Sequence, residues 1–234
     1  MSEFEFLERF KSRKNGVYRV RVNGETKVLK IFSSSESLDR EYQMLDLLKD
    51  RLNVPRIHSI DRQRRMLVME FIEGKNLCDL VNTTVEHDIA DSLRIIEKLA
   101  RWFSDFHLLL KDKQMVRGDS ILRNFILDYK GEIYGVDFEE SRKGRAEEDI
   151  AEICISILTT HPEFTEEKFE LCKRFLKAYS GDIDVPFLRK QLFKTLEKFS
   201  IRRGDVALKD TGVKEMKKHG LIWYLGDLQK ERSI

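Results

Sequence analysis

The chain has 234 residues, 41% of them hydrophobic and 36% charged, enough apolar material for one sizeable core or two small lobes sharing a cleft. Its 43 Lys and Arg stand against 41 Asp and Glu, so whole-chain charge selects no acidic or basic partner. The three cysteines, Cys78, Cys154 and Cys172, are widely spaced beside apolar residues, which excludes a disulfide framework and zinc-ligand spacing.

No run approaches the ~20 apolar residues of a membrane span. The charged start (Glu3, Glu5, Glu8, Arg9) lacks the apolar core of a signal peptide. A reducing cytoplasm is the expected location.

Residues 17–22 alternate apolar and polar, as a half-buried strand does. Asn23-Gly24 predicts a hairpin turn, and 27–32 the return strand. Ser33-Ser34-Ser35 breaks that strand and can cap a helix in which Leu38, Tyr42, Leu45 and Leu48 recur. Residues 66–71 read as a further strand. Beyond Glu73-Gly74 the chain turns helical, with one long amphipathic helix through Ile96, Leu99, Phe103, Phe106 and Leu110. Two short strands, 125–127 and 133–138, flank the turn Asp128-Tyr129-Lys130-Gly131. Helices are expected over 150–158, 165–179 and 187–199, followed by a less periodic tail. The expected fold is therefore α+β and bilobal. Residues 1–73 form a small antiparallel-sheet lobe, 74–200 a larger helical lobe carrying the hairpin, and 201–234 a tail docked on the latter.

The hairpin gathers the chemistry. Asn124 is read as beginning its first strand and Asp137 as ending the second, so their side chains meet. Asp119 lies on the loop leading in, five residues before Asn124. Three oxygen donors converge, and magnesium prefers such ligands together with phosphate. Taken singly, Asp119 and Asn124 are ordinary turn residues and Asp137 a strand-end carboxylate. Their order and spacing are what point to a site.

This pattern resembles the protein-kinase superfamily, in which an Asp precedes an Asn by five residues and the next strand leads to Asp-Phe-Gly. The resemblance covers roughly residues 10–180 and implies ATP and Mg2+ as cofactors. Asp119 would orient the acceptor hydroxyl or take its proton, while Asn124 and Asp137 would hold the metal. Lys30, in Lys27-Val28-Leu29-Lys30-Ile31-Phe32, would bind phosphate. Glu41 would pair with it, although Glu36 and Asp39 compete for that place. Backbone groups near Glu70 and Ile72 would receive the adenine.

The departures place the resemblance in a compact atypical branch. Gly16 alone remains of a glycine-rich loop, Arg117-Gly118-Asp119 replaces His-Arg-Asp, and Glu139 follows Asp137-Phe138. Only eleven residues separate Asp137 from Asp149, too few for a peptide-docking activation segment. That branch includes aminoglycoside- and choline-type phosphotransferases, lipopolysaccharide-kinase-like proteins and the small kinase of the tRNA threonylcarbamoyl-adenosine complex. In it an Asp opening a helix supports the catalytic loop, and Asp149 fits that role.

The leading expectation is transfer of the ATP γ-phosphoryl group to a hydroxyl, on a small molecule or glycolipid sugar rather than a general protein substrate. The alternatives are a nucleotide-binding regulatory module, or a subunit of an RNA-modifying assembly. In the latter a protein or RNA partner would meet the basic region 189–218, where ten Lys and Arg face four Asp and Glu. His107 is read as a packed histidine near the catalytic loop, and Trp223-Tyr224 as docked on the core.

Overall fold

A computed structural model describes residues 4–84 and 89–231. The fold is α+β, with a five-stranded antiparallel sheet and eight α-helices among the described residues. In chain order the elements are β1 (Glu5–Phe10), β2 (Gly16–Val22), β3 (Glu25–Ile31), α1 (Ser35–Leu48), β4 (Ile57–Asp61), β5 (Met66–Glu70), β6 (Gly74–Asn76), α2 (Leu77–Thr84) and α3 (Ile89–Leu109). Then follow β7 (Met115–Val116), β8 (Phe125–Asp128), β9 (Ile133–Gly135), β10 (Arg142–Lys143), α4 (Ala146–Leu158), α5 (Glu166–Ala178), α6 (Val185–Arg203), α7 (Ala207–Lys218) and α8 (Leu221–Glu231). The chain divides into two compact units. The first runs up to Lys75 and includes Phe125–Ser141; the second comprises Asn76–Asn124 and everything from Arg142 onward.

In the first unit the sheet order is β1-β2-β3-β5-β4. Asn23 and Gly24 both take positive φ, 51° and 83°, the type I′ geometry whose twist suits a two-residue hairpin. This turn fixes the register in which Val17 faces Lys30. One face of the sheet buries Val20, Val22, Leu29 and Val68 as a single cluster. Helix α1 starts at Ser34, whose hydroxyl accepts the Ser37 N–H at 3.2 Å. Its buried stripe runs Leu38, Glu41, Leu45, Leu48. Glu41 thus occupies the inward position expected for Tyr42, which is half-buried beneath the Arg62 guanidinium. At Gly74 a Cβ would lie 2.3 Å from the Leu127 carbonyl oxygen, so only glycine lets the two backbones approach this closely.

The second unit is helical. Its core is rich in stacked and edge-on rings, with Trp102 and Phe106 5.4 Å apart and Phe103 meeting Phe175 at 5.6 Å. Helix α3 packs on α5, and α4 on α6. The residues of the less periodic tail are largely helical. They continue α6 through Arg203 and then form α7 and α8, which bury Leu208, Met216, Leu221, Leu225 and Leu228. Trp223 is not docked on a core: it is 77% exposed, one helix face away from the buried Leu221 and Leu225. All three cysteines are buried free thiols. No helix among the described residues is long and apolar enough to cross a membrane.

Two expectations about the hairpin are corrected. Asn124 closes a 3-10 turn, Leu122–Asn124, rather than beginning β8. Strand β9 stops at Gly135, and Asp137 follows it with φ of 66°, a left-handed conformation that no strand accommodates. Helix α4 also begins three residues before Asp149. The Glu148 carboxylate caps it by accepting the Arg145 N–H at 3.0 Å.

Candidate functional site

Lys30 is the centre of the first unit's charged residues. It lies on β3 between β2 and β5, opposite Val17 and Leu67, and is only 5% exposed. Its ammonium donates to Glu41 Oε2 at 3.1 Å and to Asp137 Oδ1 at 2.7 Å, with Glu139 Oε2 at 3.5 Å. Burial works against the charge on Lys30. The carboxylates of Glu41, Asp137 and Glu139 outweigh it and hold its pKa above the ordinary lysine value. Glu41 is almost fully buried, and burial pushes its carboxyl upward against the opposing pull of Lys30. The same Glu41 oxygen accepts the Phe138 N–H at 2.7 Å. One glutamate therefore ties the β3 lysine to the backbone just after Asp137. The open choice among acidic partners is resolved: Asp39 pairs with Arg62 at 3.2 Å, and Glu36 is exposed in the first turn of α1.

Glu70 and Ile72 follow from the same sheet. The Glu70 N–H donates to the Arg56 carbonyl at 2.8 Å, and its carboxylate accepts the Arg56 N–H at 3.1 Å. The Glu70 N–H and one carboxylate oxygen are thus engaged with the Arg56 backbone. Ile72 lies beyond the end of β5 and is buried.

The second unit carries the loop around Asp119. Strand β7 pairs with β10 through Val116 and Arg142, which fixes where the loop begins. Gly118 then takes φ of 82°, a turn that favours glycine. The Asn124 amide folds back on Asp119, donating to its carbonyl at 2.9 Å and to Oδ2 at 3.0 Å. Its own side-chain oxygen is then the group it can offer to a cation. Asp119 Oδ1 receives Arg202, from the end of α6, at 3.3 Å.

Helix α4 holds this loop by three polar residues on one face. Asp149, fully buried, accepts the Arg117 and Gly118 N–H groups at 2.7 and 3.1 Å, the Ser120 hydroxyl at 2.9 Å and His107 Nε2 at 3.1 Å. Burial alone would raise the Asp149 pKa. His107 and the two backbone N–H groups more than offset it, and the carboxyl falls below its ordinary range. Glu152 accepts the Ser120 N–H at 2.8 Å and pairs with Lys198 at 2.6 Å. The Ser156 hydroxyl accepts the Leu122 N–H at 3.0 Å. His107 is the packed histidine expected, completed by Tyr179 on Nδ1 at 3.0 Å.

Sequence reasoning missed Glu152, Ser156, Arg202 and Tyr179. A signal existed for the first two: Asp149, Glu152 and Ser156 recur at helical spacing within an otherwise apolar helix. Arg202 and Tyr179 carry no such pattern. Five of the ten cations in the basic region, Lys198, Arg202, Arg203, Lys209 and Lys218, face carboxylates within 4 Å.

Three carboxylates surround one ammonium, oxygen donors of the kind magnesium prefers, but among the described residues no group of three His, Cys, Asp or Glu is placed to hold a metal ion.

A model of the phosphotransferase enzyme family matches residues 7–117. That stretch includes Lys30 and Glu41 and ends two residues before Asp119. Over 100 residues the chain is 29% identical to the KEOPS complex subunit Bud32 of Pyrococcus abyssi, a match covering 42% of each protein. The matched stretch is thus less than half of that relative's length. Together these findings support the resemblance to the protein-kinase-like superfamily, in its compact atypical branch.

Proposed function

We propose that this kinase-like chain is a phosphotransferase that uses ATP with magnesium to phosphorylate a hydroxyl. The observation that carries the reading is the buried Lys30 ammonium held by Glu41 and Asp137 at 3.1 and 2.7 Å. A lysine so deeply buried among carboxylates has been desolvated at a cost that structure alone does not require. Binding a nucleotide's phosphates gives that arrangement a use.

The roles follow from the donor chemistry. Lys30 binds phosphate oxygens, and Glu41 holds it in place. Asp137 and the side-chain oxygen of Asn124 are the proposed metal ligands. The metal, when bound, would neutralise charge on the phosphates. The Glu70 carbonyl and Ile72 backbone would receive the adenine. Asp119 orients the acceptor hydroxyl and takes its proton as the oxygen attacks the γ-phosphorus. The new O–P bond forms while the bond to the β–γ bridging oxygen breaks, and that electron pair leaves on ADP. Asp149 supplies no reacting atom; it fixes the Arg117–Ser120 backbone so that Asp119 is aimed.

A small-molecule or glycolipid hydroxyl is the proposed acceptor class. Asp137 and Asp149 are separated by eleven residues, of which Arg142 and Lys143 pair in β10 with β7 and those from Ala146 belong to α4. That leaves no extended segment on which a peptide could lie. The half-paired basic region also offers less free charge to RNA than its composition suggests.

The test is transfer of labelled γ-phosphate from MgATP to a panel of small hydroxyl acceptors. The reading predicts transfer by the wild-type protein. Asp119→Asn should lose it by at least about a hundredfold while keeping a nucleotide-dependent thermal shift. A shift without any transfer by the wild type would favour a regulatory nucleotide-binding module instead.

A further inference from the structure

Glu139 stands where the kinase pattern has glycine, and the residues before β2 lack the glycines that would cover phosphates. The structure connects these two departures. Asn15, only 8% exposed, donates its side-chain amide to Glu139 Oε2. That oxygen is also the Glu139 atom nearest the Lys30 ammonium, at 3.5 Å. A lysine–carboxylate hydrogen bond is normally 2.7–3.2 Å, so Glu139 is held just beyond one.

Both ends of the Asn15–Glu139 contact are fixed independently. Asn15 Oδ1 accepts the Ser33 N–H at 3.1 Å, and the Asn15 N–H meets the Ser12 hydroxyl at 3.3 Å. The Glu139 carbonyl accepts Arg40 Nε at 2.6 Å. The backbone at 139 therefore has a set position, and Asn15 decides where its carboxylate points. Lys30 already spends two of its protons on Glu41 and Asp137. Its third is the one a phosphate oxygen needs.

We infer that Asn15 is a positioning residue that holds the Glu139 carboxylate off Lys30, keeping the ammonium available to nucleotide phosphate. The inference rests on the phosphotransferase reading and deepens it. In a chain without a glycine-rich loop, this amide does part of the work of presenting the phosphate-binding lysine. Without Asn15, its amide no longer holds Glu139 Oε2, and a negatively charged oxygen 3.5 Å from Lys30 competes with phosphate for the ammonium.

The inference makes a prediction that a merely structural role for Asn15 does not. Asn15→Ala should weaken MgATP binding by about tenfold, a loss typical of one charged hydrogen bond. Adding Glu139→Gln should then restore binding to within about threefold of wild type, because the neutral amide no longer competes for the ammonium. The measurement is displacement of a fluorescent ATP analogue by MgATP, with melting in the absence of nucleotide to report folding. If Asn15→Ala binds as tightly as wild type, or if the double variant is no better than Asn15→Ala, the inference is overturned. A double variant that binds more weakly still would make Glu139 a ligand rather than a competitor, and would also overturn it. A wild-type protein that binds no MgATP would contradict the phosphotransferase reading itself, and this inference with it.

Discussion

Lys30 and Asp149 are both buried charges, yet the two units stabilise them by opposite means. Around Lys30 the partners are other ionised side chains, three carboxylates for one ammonium. Around Asp149 they are two backbone N–H groups, a hydroxyl and a histidine. Dipoles fixed in a backbone cannot be exchanged without moving the chain. Side-chain charges can be exchanged for a ligand's charges one at a time. The Asp149 centre is therefore built as scaffold, whereas the Lys30 centre rests on side-chain charges, as the proposed phosphate-binding role requires.

The largest expected effect tests the scaffold. Asp149→Ala strands the Arg117 and Gly118 N–H groups and His107, and should cost about 3–5 kcal/mol, measured by urea unfolding. The native Asp149 carboxyl lies below its ordinary value of 3.8. Its contribution is thus fully present above that pH and is lost as pH falls through the lowered native value. The gap between wild type and variant should close only in strong acid.

Removing the cation of the other centre should cost less. Lys30→Met leaves carboxylates that can take up protons, and Glu41 is already shifted upward from 4.5. We expect a loss of about 2–3 kcal/mol at neutral pH, with MgATP binding reduced at least about a hundredfold. A raised carboxyl pKa penalises folding as pH rises above the ordinary value. This deficit should therefore shrink as pH falls toward 4.5, earlier in an acid titration than the Asp149 deficit. Coincident profiles would erase the distinction between the two centres.

The smallest effect belongs to Arg202. Its side chain is 40% exposed, so Arg202→Ala should change stability by less than about 1 kcal/mol. Turnover should fall only a few-fold, with most of that loss reproduced in wild type by added salt.

Much of this was legible in the sequence because spacing along the chain carries it. Lys30 on a strand, Glu41 within the following helix, and Asp119 five residues before Asn124 are local patterns. The Asn23-Gly24 turn fixed the register that buries Lys30. What stayed hidden depended on partners far away in sequence. Arg202 meets Asp119 across 83 residues, and Asn15 meets Glu139 across 124. No periodicity encodes such pairs. The strand β4 (His58, Ser59 and Asp61 among its five residues) was hidden because an edge strand need not be apolar. Asp137 was placed on a strand because its neighbours are apolar; the left-handed φ that takes it off the strand leaves no mark in composition. Trp223 shows the limit of hydrophobicity as a guide, since a large apolar ring can face solvent.

The central claim is that the carboxylate beside Lys30 serves metal-dependent phosphoryl transfer. Asp137→Asn tests it most directly, because it keeps the side chain's size and one oxygen while removing the charge. We predict that magnesium-dependent ATP turnover falls at least about a thousandfold in a protein whose urea midpoint stays close to wild type. Turnover at the wild-type level in a folded Asp137→Asn protein would contradict the account.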